Sequence, residues 1–231
     1  MKLLKLLKES LRLNEGVYDP SILKAFFLAG GPGSGKSFVS DKVTAGLGYK
    51  FVNSDSYFVN LLNKANLDID IDSYYGTPDY DTAVGLLNKS RDLAAKTGDM
   101  YAVGRLGIVF DGTGSDYQRI ADLRDRCIDL GYDTYMIFVN TSLDVSLERN
   151  LKRSRKVPEK VVRKSWQDVQ NNKPKYQSLF GSNFFLVDNN QFNENILNKI
   201  WKQIKAISDK PVKNPIGKKW IQQQLAMKKR S

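Results

Sequence analysis

The stretch Gly30-Gly31-Pro32-Gly33-Ser34-Gly35-Lys36-Ser37 matches the pattern G-x-x-x-x-G-K-[ST] at every fixed position, and the rest of the chain is read outward from it. Glycines at 31, 33 and 35 let the backbone curl so that successive N–H groups face an anion. Lys36 adds a charge at the β/γ end of a polyphosphate, and Ser37 offers a hydroxyl to Mg²⁺. Before the loop, Ala25-Phe26-Phe27-Leu28-Ala29 is a short apolar run that reads as a buried strand. After it, residues 37–43 read as a helix whose positive end faces the anion. All of residues 30–37 are therefore candidates to hold the phosphates of ATP or GTP.

Further apolar runs alternate with helical patterns. Residues 49–53 read as a second strand, 107–110 as a third, 133–139 as a fourth and 184–187 as a fifth. Helices are expected over 119–130, from 142 to about 150, over 159–170 and around 196–204. Strands alternating with helices predict an α/β fold, a P-loop three-layer sandwich with a five-stranded parallel sheet and ligands at the carboxyl ends of its strands. Residues 56–106 exceed one crossover and are read as an acceptor-side insertion. Its Asp68, Asp70, Asp72, Asp79 and Asp81 are expected to be solvated carboxylates and helix caps rather than a calcium loop, which needs a glycine where Ser73 stands.

Composition narrows the chemistry. The chain has 231 residues, one cysteine and no histidine. Disulfide frameworks, zinc sites with His ligands and His-based general catalysis are excluded. No run reaches the apolar length of a membrane span, and a reducing, cytoplasmic setting is expected. The net charge of +11 is concentrated in two places. Residues 202–231 hold nine Lys/Arg against one Asp, and residues 152–164 hold seven against one Glu. The expected organisation is an amphipathic N-terminal helix or targeting segment over 1–16, a kinase-sized domain over 17–209 with a lid at about 149–160, and a basic tail over 210–231. The tail, read as a linker followed by a short basic helix, is a candidate nucleic-acid contact.

Phosphoryl transfer needs a metal, cations around the moving group and a carboxylate facing the attacking hydroxyl. Asp55, just after the second strand, is the candidate base. Asp111 ends the apolar strand Ile108-Val109-Phe110 and is a candidate for the metal-bound water or the acceptor, with Gly112 and Thr113 beside it. Ser37 and Asp111 are the candidate metal-side residues. Arg149, Arg153 and Arg155 are candidate phosphate clamps; if the helix continues past residue 150, Arg149 and Arg153 form an i, i+4 pair on one face.

Together, GGPGSGKS, NSDSYF and the run from Gly107 to Asn150 resemble the zeta-toxin and polynucleotide-kinase-like group of small P-loop kinases, including members encoded by tailed phages. The resemblance covers about residues 25–190. It implies that Lys36 binds the phosphates, Asp55 acts as base towards a hydroxyl, Asp111-Gly112-Thr113 contacts the acceptor, and Arg149 with Arg153 or Arg155 stabilises the transferred group. Asp111 stands where the toxins carry Glu, so the reaction type is implied more firmly than the acceptor. A nucleotide, a nucleotide sugar and a nucleic-acid hydroxyl all remain open, as does any antitoxin-like partner. For a phage-encoded member the setting is the host cytoplasm or the virion. Two other readings stand beside the kinase: an NTPase without a hydroxyl acceptor, and a non-catalytic nucleic-acid or virion-associated binding protein.

Overall fold

In the computed structural model, residues 16–68, 74–153 and 157–229 are described. The N-terminal helix expected before residue 16 lies outside them, as do Asp70, Asp72 and Arg155. Five strands, β1 (Lys24–Ala29), β2 (Lys50–Val52), β3 (Ile108–Asp111), β4 (Asp133–Asn140) and β5 (Phe184–Asp188), form one sheet in the order β2-β3-β1-β4-β5. Every neighbouring pair is parallel.

Eight helices surround the sheet among the described residues: α1 (Lys36–Val43), α2 (Ser54–Lys64), α3 (Pro78–Val103), α4 (Tyr117–Asp129), α5 (Leu143–Leu151), α6 (Glu159–Phe180), α7 (Glu194–Ser208) and α8 (Pro215–Lys228). Alternation along the strands decides which helix covers which face. Phe26 and Leu28 of β1 and Ile137 and Val139 of β4 pack with Val39 and Val43 of α1 and with Leu197, Ile200 and Ile204 of α7. Ala25, Phe27 and Ala29 point the other way, with Phe110, Met136 and Phe138, onto Ala94 of α3, Cys127 of α4 and Val169, Tyr176 and Phe180 of α6. Both faces are covered, which is why these strands are continuous apolar runs. The result is the expected three-layer α/β sandwich.

The long connection between β2 and β3 is a helical pair. Phe58 and Leu62 of α2 bury against Ala83 of α3 in a small core of their own, joined by Leu67, Leu86 and Leu87. Asp79 and Asp81 lie in the first turn of α3, where a carboxylate favours the positive helix end.

Helix α6 runs ten residues beyond the expected end, through Pro174. An interior proline costs a helix about 3 kcal/mol. Tertiary contacts offset this: Asn172 Nδ2 donates to the Gly114 and Ser115 carbonyls at 3.2 and 2.8 Å, and the Tyr176 hydroxyl donates to Gly114 at 2.9 Å. The C-terminal segment packs on the domain. Lys213 and Asn214 donate their backbone N–H groups to the two Asp133 carboxylate oxygens at 2.8 and 2.9 Å. Gly217 meets Gly131 so closely that a methyl group there would sit 2.2 Å from the Gly131 carbonyl. Trp220 and Ile221 of α8 join the main core. No described helix is long and apolar enough to cross a membrane.

Candidate active site

Parallel register brings three loops to one edge. Val52 pairs with Phe110 and Leu28 with Asp111, so Asn53, Asp111 and the residues after Ala29 emerge side by side. The Gly30 N–H donates to the Thr113 carbonyl at 2.8 Å, tying the P-loop to the loop after β3.

Residues 30–37 curl tightly against their surroundings. At Gly33, with φ of 78°, an added methyl group would lie 2.2 Å from the Ser146 carbonyl oxygen of α5. At Gly35, with φ of 81°, it would lie 2.5 Å from Asn189 Nδ2. Only glycine meets both the left-handed backbone and the close approach. Asn189 donates to the Ser34 carbonyl at 2.7 Å from the loop after β5, and the backbone of Trp166 in α6 lies against Gly31. Pro32 and Lys36 are half-buried, whereas Ser37 is exposed in the first turn of α1.

Two buried polar atoms here have no hydrogen-bond partner among the described residues: Ser34 Oγ and Arg149 Nη1. Leaving such groups unmade costs about 1–3 kcal/mol each. Arg149 is anchored by Nη2, which donates to the Asn190 carbonyl at 3.3 Å, and its Nη1 lies 3.8 Å from the place a methyl group on Gly35 would take.

Two carboxylates stand in the electrostatic reach of Lys36. Asn53 Nδ2 donates to Asp111 Oδ2 at 2.7 Å. Burial pushes the Asp111 carboxyl above its ordinary value; the Lys36 charge and the Asn53 hydrogen bond pull it down, while Asp55 and Asp41 push it up. Lys36, Asp55 and Asp111 thus share one electrostatic neighbourhood. Asp55 is exposed in the first turn of α2. Gly112 and Thr113 are exposed, with Thr113 Oγ1 sharing a hydrogen bond with Ser115 Oγ at 2.9 Å. Among the described residues, no three acidic or Cys side chains cluster as a metal site. Mg²⁺ ordinarily takes one or two protein ligands and completes its shell with phosphate oxygens and water, and Ser37 with Asp111 fits that mode.

One geometric expectation fails. Helix α5 ends at Leu151, with Lys152 as its cap, so Arg153 is not on the helix and the i, i+4 pairing with Arg149 does not form. Arg153 is exposed beyond the helix end. Buried Asn150 holds residue 157 at both ends, donating to the Val157 carbonyl at 2.6 Å and accepting its N–H at 3.1 Å. Asn53, Asn150, Asn189, Asn190 and Trp166 were not singled out in the sequence for the site; only the N-cap position of Asn53 ahead of Asp55 carried a local signal.

The solved structures that resemble this chain include a gluconokinase from Sinorhizobium meliloti 1021, with 17% identity, a TM-score of 0.50 and coverage of 81% of this chain and 95% of the other. A candidate kinase from Chloroflexus aurantiacus j-10-fl has 14% identity, a TM-score of 0.51 and coverage of 80% and 96%. At such identities the likeness shows a small P-loop kinase-like fold. No curated protein matches the chain in sequence. The AAA domain family AAA_33 matches residues 26–173, more than half of the chain, across the P-loop, Asp55, Asp111 and Arg149, and the chain belongs to that family.

Proposed function

We propose that this protein is an ATP- or GTP-dependent kinase that moves the γ-phosphoryl group to a hydroxyl of a nucleotide, nucleotide sugar or nucleic acid. The observation that carries this reading is the set of mutually interacting charges on Lys36, Asp55 and Asp111, beside a P-loop whose Ser34 Oγ and neighbouring Arg149 Nη1 are buried without a partner among the described residues. The kinases among its structural neighbours and the resemblance to zeta-toxin-like enzymes support it.

In this reading, backbone N–H groups of residues 30–37 and the Lys36 ammonium hold the β- and γ-phosphates, and Arg149 Nη1 takes up negative charge as transfer proceeds. Mg²⁺, when bound by Ser37 and Asp111, neutralises charge on the phosphates. Asp55 faces the acceptor and accepts the hydroxyl proton as the new oxygen–phosphorus bond forms and the bond to the leaving nucleoside diphosphate breaks. Gly112 and Thr113 border the acceptor. Arg153, exposed beyond the end of α5, is proposed to add its charge once the nucleotide is bound; Arg155 lies outside the described residues. The lysines of α8 are the contact proposed for a polynucleotide acceptor.

The test is incubation with γ-labelled ATP and Mg²⁺ against panels of nucleosides, nucleotides, nucleotide sugars and DNA, followed by mass analysis of the labelled product. Label on a hydroxyl acceptor is expected. Steady hydrolysis indifferent to every acceptor would replace the kinase with an NTPase.

A further inference from the structure

We propose that Asn53 is the positioning residue of this site, its single amide aligning the Asp111 carboxylate with the helix start that carries Asp55. The inference rests on the kinase reading for its consequence, and on geometry for its substance.

The two ends of the side chain do different work. Nδ2 donates to Asp111 Oδ2 at 2.7 Å, and Oδ1 accepts the Asp55 backbone N–H at 2.7 Å. A carboxylate accepts only and an N–H donates only, so the partners leave one orientation for the amide. The position follows from the sheet. β2 pairs with β3 through Val52 and Phe110, so the next residue on each strand, Asn53 and Asp111, stands abreast where β2 gives way to α2. Extended backbone at Asn53, with φ of −138° and ψ of 125°, then turns its side chain onto the first turn of the helix as an N-cap.

No other residue of similar reach supplies both functions. Asp would cap α2 but set a second negative charge against Asp111. Ser would cap equally well without a donor that spans to Asp111. Ala would do neither. A cap alone therefore does not call for Asn here, whereas holding two carboxylate-bearing elements in one register does. Asp111 is partly buried, and Asn53 supplies a donor to its Oδ2. Groups that orient a ligating carboxylate in this way typically contribute 10–100-fold to metal affinity or activity.

The experiment compares Asn53→Ser, Asn53→Ala and Asn53→Asp with the wild type in the full chain. Four quantities are read: kcat and KM for ATP with the acceptor that takes label, melting temperature, and the affinity of Mn²⁺ for the protein–ADP complex by electron paramagnetic resonance. Asn53→Ser is expected to lose about 10–100-fold in kcat and Mn²⁺ affinity while KM for ATP and melting temperature stay at wild-type values. Asn53→Ala should match that kcat and also melt lower, and Asn53→Asp should lose most. If Asn53→Ser keeps wild-type kcat and Mn²⁺ affinity and only Asn53→Ala is impaired, Asn53 is a helix cap and the proposal falls. If the wild type labels no acceptor, the kinase reading falls, and the Mn²⁺ measurement still decides the role of Asn53.

Discussion

The two edges of the sheet handle buried polar groups in opposite ways. At the amino edge, Lys24 is almost wholly buried at the start of β1, and its Nζ donates to the Pro20 and Ser208 carbonyls at 2.7 and 2.9 Å. Tyr49 and Ser208 share a hydrogen bond at 2.7 Å, and Asp133 accepts two backbone N–H groups from the segment before α8. At the carboxyl edge, Ser34 Oγ and Arg149 Nη1 are buried without partners among the described residues, and burial raises Asp111. The two other partnerless atoms, Arg105 Nε and Arg124 Nε, belong to guanidinium groups stacked over Trp220 and Phe180. Arg105 Nε apart, the amino edge is satisfied among the described residues and holds the domain together; the carboxyl edge keeps interactions in reserve for something that binds.

That contrast is breakable. The largest effect is expected from Lys36→Ala, which removes a cation aimed at phosphate but little packing. Turnover should fall by at least ~100-fold with the melting temperature nearly unchanged. Comparable losses in both would make Lys36 a structural residue. Next, Asp111→Asn should abolish most turnover yet raise stability at neutral pH, since it removes a charge that burial disfavours. Thermal unfolding of the variant without nucleotide checks the sign, and a less stable variant would place Asp111 with the satisfied groups of the amino edge.

Lys24→Met probes that amino edge. It leaves two carbonyls without their donor and is expected to destabilise by about 1–3 kcal/mol per carbonyl, offset in part by release of a buried charge, with turnover per folded molecule unchanged. The pH dependence has a definite sign. Burial lowers Lys24 from 10.5 to about 8, with the Asp133, Asp19 and Asp209 charges opposing. From about pH 8 upward the unfolded chain binds more protons at this residue, so the wild type gains stability as pH rises, by no more than about 1.4 kcal/mol per pH unit. Tyr49, raised by burial, works the other way once unfolded tyrosines ionise near pH 10. Denaturant unfolding at pH 7.5 and 9.5 should therefore show the wild type gaining on Lys24→Met.

The smallest effect concerns α8. Lys218→Gln with Lys219→Gln alters two exposed side chains and should leave folding and small-acceptor transfer intact. Polynucleotide affinity should fall and its salt slope shrink by roughly 0.9 per lost phosphate contact on duplex DNA. An unchanged salt titration would remove α8 from the proposed nucleic-acid contact. Point substitutions suit this test better than truncation after Asp209, because truncation would strip Asn214, Gly217 and Trp220 from their packing.

The central strands β1, β3 and β4 were legible because each carries an apolar run, and burial on both faces demands that composition; β2 and β5, at the sheet edges, are more exposed. The P-loop was legible because phosphate binding restricts residue types at fixed spacing. Helix ends were less so: α6 passes Pro174 because Asn172 and Tyr176 hold the loop after β3, and α5 stops before Arg153, with Asn150 bonded to Val157. Local propensity contains neither contact.

By itself the sequence determined the phosphate loop, the alternation of strands and helices, and the carboxylates that follow β2 and β3. These rest on residue types within a few positions of one another, and local chemistry reads them directly. Only the tertiary structure decided that Asn53 joins Asp111 to the start of α2, that Asn189 backs the P-loop, that Arg149 keeps one nitrogen unpaired beside Gly35, and that the basic C-terminal helix packs on Gly131. Asparagine and glycine occur at many turns for many reasons, and their partners here lie tens of residues away, so parallel register and helix packing alone assign their roles.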